Sequence, residues 1–532
     1  MITKYLNSTV YPFLLACVFV FAYYIQNAQE AYLSHIFLPL LIALVVTLGF
    51  YVVWMIFFRR ESKAAILTAY SLIVFFLHGH IKNLLDEPSV TILGKTLGED
   101  SLVILFWGVT GLILLWFVFK TRGEFITLTR SINTFVAVML MVNVIRFVML
   151  YAQGTVVFIP SDSNQNSSTV REGAVDTTDL PDIYHIILDK YASNGVLKDY
   201  FNFDNSAHTD ELEKMGFYVA YDARTNYPHT LYSLSTTLNM DYALQLATKL
   251  NADPAVDNGE LEIIYPAFRN HEVGKLLTEA GYKYYHAANW FYPTQTSSYA
   301  TENYIFNKSQ FRLGEFTDKF LQQTILEPLL GKYYILSDAN QHLEAIWFDF
   351  SKTKELISTK VSPKFVFTHI LIPHGPYVLG ADCNKLPPGT IISDTKPFYT
   401  ASAECANLRS EEIAHQILES TNGNAIIIIQ SDEGPNIARA EMPRDDYTFE
   451  NMSDEIIRKR TEIQYAVYLP DGDYSQFSQD MTPINTYRII LNKVLGTQFP
   501  LLKDKTFITN TQGDLIKFNF NEVLPEFYKK FD

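Results

Sequence analysis

Ala425-Ile426-Ile427-Ile428-Ile429-Gln430-Ser431-Asp432-Glu433-Gly434-Pro435 sets an unbroken apolar run directly before two acids and a Gly-Pro turn. Four successive isoleucines cannot alternate between a wet and a dry face, so the run reads as a strand buried on both sides. Two further runs end in the same way. Ile183 to Leu188 leads into Asp189, and Phe365 to Ile372 carries His369 and leads into Pro373-His374-Gly375-Pro376. Phe217 to Ala220 and Tyr465 to Leu469 add two more strands. Helix-like stretches lie at Asp210 to Met215, Glu272 to Ala280, Leu343 to Ser358 and Glu411 to Ser420. This alternation predicts an α/β domain with a mostly parallel sheet, whose ligands bind at the carboxyl ends of the strands.

Three carboxylates (Asp189, Asp432 and Glu433) and a histidine from the run that leads into His369 and then His374 therefore fall at or just past strand ends. Between the first two runs, Asn226-Tyr227-Pro228-His229-Thr230-Leu231-Tyr232-Ser233 offers a hydroxyl. Singly, each feature has a bland reading: an acid after a strand caps a helix, and a histidine near proline is structural. The set says more. Carboxylates gathered in one place repel unless a cation offsets them, and Asp, Glu and His are ligands for divalent metals.

Upstream the chain changes character. Its 532 residues exceed one ordinary core. Up to about Tyr151 long apolar runs dominate. Five approach the ~20 residues that span a bilayer: Tyr11 to Ile25, His35 to Phe58, Ala64 to Leu77, Leu102 to Phe119 and Asn133 to Tyr151. Arg59, Arg60 and Lys63 follow the second run, and Lys120, Arg122 and Arg130 follow the fourth, while the other connections are neutral or acidic. With Lys4 inside, the positive-inside rule makes five crossings and places everything after Tyr151 outside the cytosol. The expected organisation is a transmembrane region at 1–155, a linker at 156–180 and an extracytoplasmic domain at 181–532. A net charge of −15 without a basic stripe excludes nucleic acid as a partner. Cys383 and Cys405 are expected to form a disulfide outside the cytosol, the alternative being two free buried thiols.

At Asp189, at Thr230-x-Tyr232-Ser233, at His369 to Pro376 and at Ser431-Asp432-Glu433-Gly434, the chain resembles the sulfatase/alkaline phosphatase superfamily. Within it, the chain looks like the membrane-anchored lipoteichoic acid synthases and phosphoethanolamine transferases. Thr482 to Arg488 resembles a Pro-Val-Asn-Thr-Phe-Arg segment of a sulfatase-like branch. The resemblance implies an alkaline-phosphatase-like α/β domain behind a helical membrane bundle in a bacterial cytoplasmic membrane. It implies one divalent metal held by Asp189, Thr230, Asp432 and Glu433. Thr230 would be the nucleophile. His374 would stabilise phosphoryl charge or protonate the leaving group. His369, His229 and Asn226 are candidates for substrate contact, against a purely structural role in their loops. Glu433 stands where the family carries histidine, which turns the expected ion from zinc toward manganese, magnesium or calcium. The implied partners are a membrane phospholipid donor and an envelope glycan or lipid acceptor.

Three alternatives remain open from sequence. One is a phosphodiesterase-type hydrolase with water as acceptor. Another is a sulfatase, although no Cys/Ser-x-Pro-x-Arg segment occurs near Thr230. The third is a non-catalytic sensor with a decayed site.

Overall fold

A computed structural model describes residues 6–28, 33–84, 90–92, 95–97, 99–152, 180–252, 263–289, 291–306, 315–387, 396–435, 449–512 and 515–531. The expected linker at 156–180 lies outside these residues except for Leu180. The chain divides into two compact units, residues 1–162 with 309–336 and residues 163–308 with 337–532.

The first unit is helical. Its helices are α1 (Tyr11–Gln26), α2 (Phe37–Phe58), α3 (Glu61–Leu84), α4 (Glu99–Lys120) and α5 (Ile126–Ala152). Four segments are long and apolar enough to cross a membrane: Leu33–Phe58, Glu61–Lys82, Ser101–Lys120 and Ile126–Tyr151. The fifth expected span forms as α1, which at 16 residues is shorter than a full crossing. Leu41, Val45, Leu48, Ile56 and Phe57 of α2 face outward with more than half their surface exposed, the pattern of a lipid-facing helix. Helix α1 packs on α2, α3 and α5.

Residues 309–336, placed by the sequence within the expected domain at 181–532, pack in this first unit. The helix Glu315–Gln322 places Phe316 and Phe320 on one face, four residues apart. Their rings lie 5.1 Å from Tyr23 and 5.4 Å from Phe76. Gly79 N donates to Gln323 O at 3.1 Å, and a Cβ at Gly79 would sit 2.8 Å from that oxygen, so only glycine admits the approach.

The second unit is built on seven strands: β1 (Asp182–Leu188), β2 (Tyr218–Val219), β3 (Lys283–Ala288), β4 (Glu302–Ile305), β5 (Lys364–Ile370), β6 (Ala425–Gln430) and β7 (Tyr465–Tyr468). Their order is β2-β7-β6-β1-β5-β3-β4. All ladders of this sheet are parallel except those that β7 makes with β2 and β6, and a separate antiparallel pair joins Thr506–Gln512 to Leu515–Val523. Every residue of β1, β5 and β6 is buried, as the apolar runs require. Tyr184, Ile186 and Leu188 of β1 join one core cluster, and Ile183 and Ile187 join the cluster on the opposite face. Two strands of this sheet went unread in the sequence: Lys-Tyr-Tyr-His-Ala-Ala of β3 carries polar atoms that hide its burial, and Glu-Asn-Tyr-Ile of β4 is a short, half-exposed edge strand. Cys383 and Cys405 form a disulfide.

Candidate metal centre

Strand β1 lies between β5 and β6, with Ile187 opposite both His369 and Gln430. The register brings three strand ends together. Asp189 follows β1, Asp432 lies two residues past β6, and His369 is the penultimate residue of β5. Their side chains present ligand atoms that all lie within 4.8 Å of one another, and all three residues are buried. His369 Nε2 lies 3.3 Å from Asp189 Oδ2. Asp189 Oδ1 and Asp432 Oδ2 are buried with no hydrogen-bond partner among the described residues. Two orphaned carboxylate oxygens and an imidazole nitrogen converging in a dry place are a donor set for a divalent cation.

The electrostatics agree. Burial, and then the Asp189 and Glu433 carboxylates, push Asp432 well above the usual carboxylate range. Burial would raise Asp189 as well, but His374, His369 and Lys190 hold it below its ordinary value. Burial opposes a charge on His369, yet the Asp189 hydrogen bond and the surrounding carboxylates raise it. In the absence of a cation, protons must stand in for it.

Thr230 is the first residue of α6 (Thr230–Asn239), and its hydroxyl is close enough to the Asp432 carboxylate to lower it against the larger effect of burial. The cluster and the hydroxyl therefore share one place. The loop before α6 is held from behind. Thr225 Oγ1 donates to Asp432 O at 2.6 Å and also contacts Tyr227 O and Ser233 Oγ.

Lys190 has φ +64°, a left-handed backbone for a non-glycine residue. Neighbours on both sides over-determine it. Its N–H donates to Asp432 Oδ1 at 3.1 Å, and its carbonyl accepts from the Tyr399 hydroxyl at 2.9 Å. Tyr191 N donates to Ser431 Oγ at 2.7 Å. Strain of this kind concentrates at functional sites. Here it aims the Asp432 carboxylate.

The remaining expected residues divide. Glu433 is outside the donor cluster. It pairs with Arg460 Nη2, and its other oxygen lies 3.7 Å from Lys190 Nζ. His369, expected to contact substrate, instead stands among the donors. Asn226 is buried with its amide committed to loop structure: Nδ2 donates to Thr482 Oγ1 and Lys505 O, each at 2.8 Å, and Oδ1 accepts from Ile484 N at 3.0 Å. His229 is half-buried against Tyr232, ring centroids 5.5 Å apart. Burial, with help from Arg460 and Lys190, pushes it down to about 4. His374 is half-buried, with Nδ1 against Gly375 O. Loss of solvent and the nearby Lys190 push it down to about 3.

Sequence reading missed Lys190, His342 and Arg460. Lys190 was legible as the neighbour of Asp189. His342, on α7 (Glu327–Ile357), sets Nε2 3.0 Å from His374 O. Arg460, on α8 (Asp454–Thr461), hydrogen-bonds Pro228 O, Gly434 O and Glu433. Neither sits in a motif, and only the fold brings them here.

No family model matches the chain, and no curated protein matches it. Solved structures do, at low identity. The C-terminal periplasmic domain of EptC from Escherichia coli, in complex with Zn, is 15% identical with a TM-score of 0.38, covering 66% of this chain and 96% of that one. The C-terminal periplasmic domain of phosphoethanolamine transferase EptC from Campylobacter jejuni is 11% identical with a TM-score of 0.38, covering 61% and 92%. A 2-O GAG sulfatase is 12% identical with a TM-score of 0.36, covering 63% and 78%. The solved structures similar to this chain thus include periplasmic domains of phosphoethanolamine transferases and sulfatases.

Proposed function

We propose that this chain is a membrane-anchored, metal-dependent phosphotransferase of the sulfatase/alkaline phosphatase type. It moves a phospho-headgroup from a membrane lipid to an envelope acceptor through a covalent intermediate on Thr230. The observation that carries the reading is the convergence of Asp189, His369 and Asp432 on one place, with the Thr230 hydroxyl near enough to act on the Asp432 carboxylate. The apolar helices support a lipid donor, since a headgroup in a bilayer is reached only by a protein held at that surface. The loop charges and the Cys383–Cys405 disulfide support an extracytoplasmic second unit.

Asp189, His369 and Asp432 would hold the cation, with the Thr230 oxygen as a further donor. When bound, it would favour the alkoxide of Thr230 and polarise a phosphoryl oxygen. The chain does the rest. Thr230 stands at the start of α6, where the helix dipole favours the anionic phosphoryl group. The oxygen of Thr230 attacks phosphorus, the bond to the lipid oxygen breaks, and diacylglycerol leaves carrying the proton that the Thr230 hydroxyl gives up. In the second step an acceptor hydroxyl attacks phosphorus and Thr230 leaves. Gly375 O can only accept, so His374 carries its proton on Nδ1, and its neutral ring offers Nε2 as an acceptor. That suits taking the proton from the acceptor hydroxyl better than protonating the first leaving group.

The reading is tested with full-length protein in vesicles of mixed phosphatidylethanolamine and phosphatidylglycerol, with Mn2+ added. Diacylglycerol release is expected from wild type and its loss from Thr230→Ala. Equal release by both proteins contradicts the proposal.

A further inference from the structure

Thr294 stands outside the donor cluster, yet its hydroxyl oxygen lies 3.3 Å from His369 Nδ1. Behind it runs a line of buried polar groups that the chemistry above does not use. Gly274 N–H meets His271 Nδ1 at 2.9 Å. His271 Nε2 meets the Tyr284 hydroxyl at 3.0 Å, and that hydroxyl meets His286 Nδ1 at 2.8 Å. His286 Nε2 then meets Thr294 O at 2.8 Å. His271, Tyr284, His286, Thr294 and His369 are all fully buried.

We propose that Thr294 is a positioning residue that presents His369 to the cation as the tautomer with its proton on Nδ1, and that the His271–Tyr284–His286 chain holds Thr294 in place. The proposal rests on reading the cluster as a cation site.

The ends of the chain fix its direction. A backbone N–H only donates, so His271 Nδ1 accepts from Gly274 and the ring proton lies on Nε2. That proton goes to the Tyr284 oxygen, with Ser297 Oγ at 3.3 Å as a second acceptor. The Tyr284 hydroxyl then donates to His286 Nδ1, which places the His286 proton on Nε2. That nitrogen faces Thr294 O, and a carbonyl only accepts. The two ends agree, and every proton has one place. Burial keeps both rings neutral, pushing His271 down to about 3 and His286 to about 4.

The same logic extends to the metal centre. The Thr294 hydroxyl donates to Phe291 O at 3.3 Å, which leaves its lone pair facing His369 Nδ1. His369 Nδ1–H can donate there, and its Nε2 lone pair then faces Asp189 Oδ2 and the cation. Asn289 Nδ2 donates to His369 O at 2.7 Å and fixes the backbone of the same residue. Hydrogen bonds behind a metal-binding histidine set its tautomer and basicity, and losing one typically costs about 10–100-fold in metal affinity.

The test titrates the full-length protein in detergent with Mn2+ alone, read by electron paramagnetic resonance, with circular dichroism confirming the fold. Thr294→Val keeps the shape and removes the acceptor, so its Mn2+ affinity should fall about 10–100-fold. Thr294→Ser should restore wild-type affinity, an outcome that a merely structural role for the methyl group does not predict. Tyr284→Phe breaks the chain away from the cluster and should weaken binding in the same direction. It serves as the second reading if Thr294→Val does not fold. Wild-type affinity in Thr294→Val or Tyr284→Phe, or a Ser variant no better than Val, overturns the positioning role. Wild type that binds no Mn2+ overturns the cation reading itself, and this inference with it.

Discussion

Arg460 and Glu433 form a buried ion pair beside the strand ends, and Arg460 also hydrogen-bonds Pro228 O on the nucleophile loop and Gly434 O on the loop after β6. One guanidinium thus ties the segment that carries Thr230 to the segment that carries Asp432. This arrangement also sets Glu433 outside the cluster of Asp189, His369 and Asp432. Its carboxylate is held between Arg460 and Lys190.

If Glu433 is a counter-ion, removing its charge should spare the metal. Glu433→Gln is expected to keep one divalent ion per chain by elemental analysis, whereas Asp189→Asn and Asp432→Asn should lose it. Loss of the ion from Glu433→Gln with retention in Asp432→Asn would put Glu433 back among the ligands. Chelation should also destabilise wild type, since an ion at a hundredfold excess over its Kd adds about 2.7 kcal/mol.

Arg460→Met leaves a buried carboxylate without its nearest cation. Breaking one side of a buried pair costs about 3–5 kcal/mol. The variant should show that loss in equilibrium denaturation and a lower kcat through the displaced Pro228–Thr230 loop. Unchanged kcat in folded protein would limit Arg460 to stability.

Gly434 permits the close approach of α8. A Cβ at this position would lie 1.9 Å from Lys459 O, a backbone atom that cannot yield as a side chain can. Gly434→Ala should therefore cost on the order of 3 kcal/mol, at the upper end of overpacking effects. It should also abolish the Gly434 N–H bond to Arg460 O, 2.9 Å in wild type. A melting temperature equal to wild type would contradict this packing.

Acid should unfold the second unit through its neutral histidines. Burial pushes His185 and His271 down to about 3 and His286 to about 4, while the unfolded chain takes up those protons near 6.5. Below 6.5 the unfolded state therefore binds more protons than the folded one, and stability falls as pH drops from about 6.5 to about 4. Each residue contributes a slope of at most about 1.4 kcal/mol per pH unit. His185→Gln should reduce the slope of denaturation free energy against pH by about that amount near pH 5. An unchanged slope would place a proton on His185 in the folded state.

The sheet and its three reactive strand ends were legible because central parallel strands are buried on both faces, and Ile426–Ile429 can satisfy no other environment. Asp189 and Asp432 followed from position alone. The presence of His369 rather than Glu433 in the cluster did not, because past a strand end the direction of successive side chains depends on the turn. Lys190, with its left-handed backbone, and Gly434, against Lys459, shape those turns through contacts distant in sequence. Residues 309–336 escaped because Phe316 and Phe320 make only a narrow apolar stripe, too little for a span. Thr294 and His286 carry no motif, and only the pairing of β3 with β5 and the contact of Thr294 with His369 give them meaning.

The central claim is that Thr230 becomes loaded with a phospho-headgroup. The most direct measurement is peptide mass spectrometry of full-length protein purified from a membrane containing phospholipid, comparing wild type with Thr230→Ala. The account predicts a phosphate-linked headgroup mass on the peptide bearing Thr230, absent in the variant and lost on prolonged incubation with an acceptor. An unmodified Thr230 in protein that still releases diacylglycerol would contradict it.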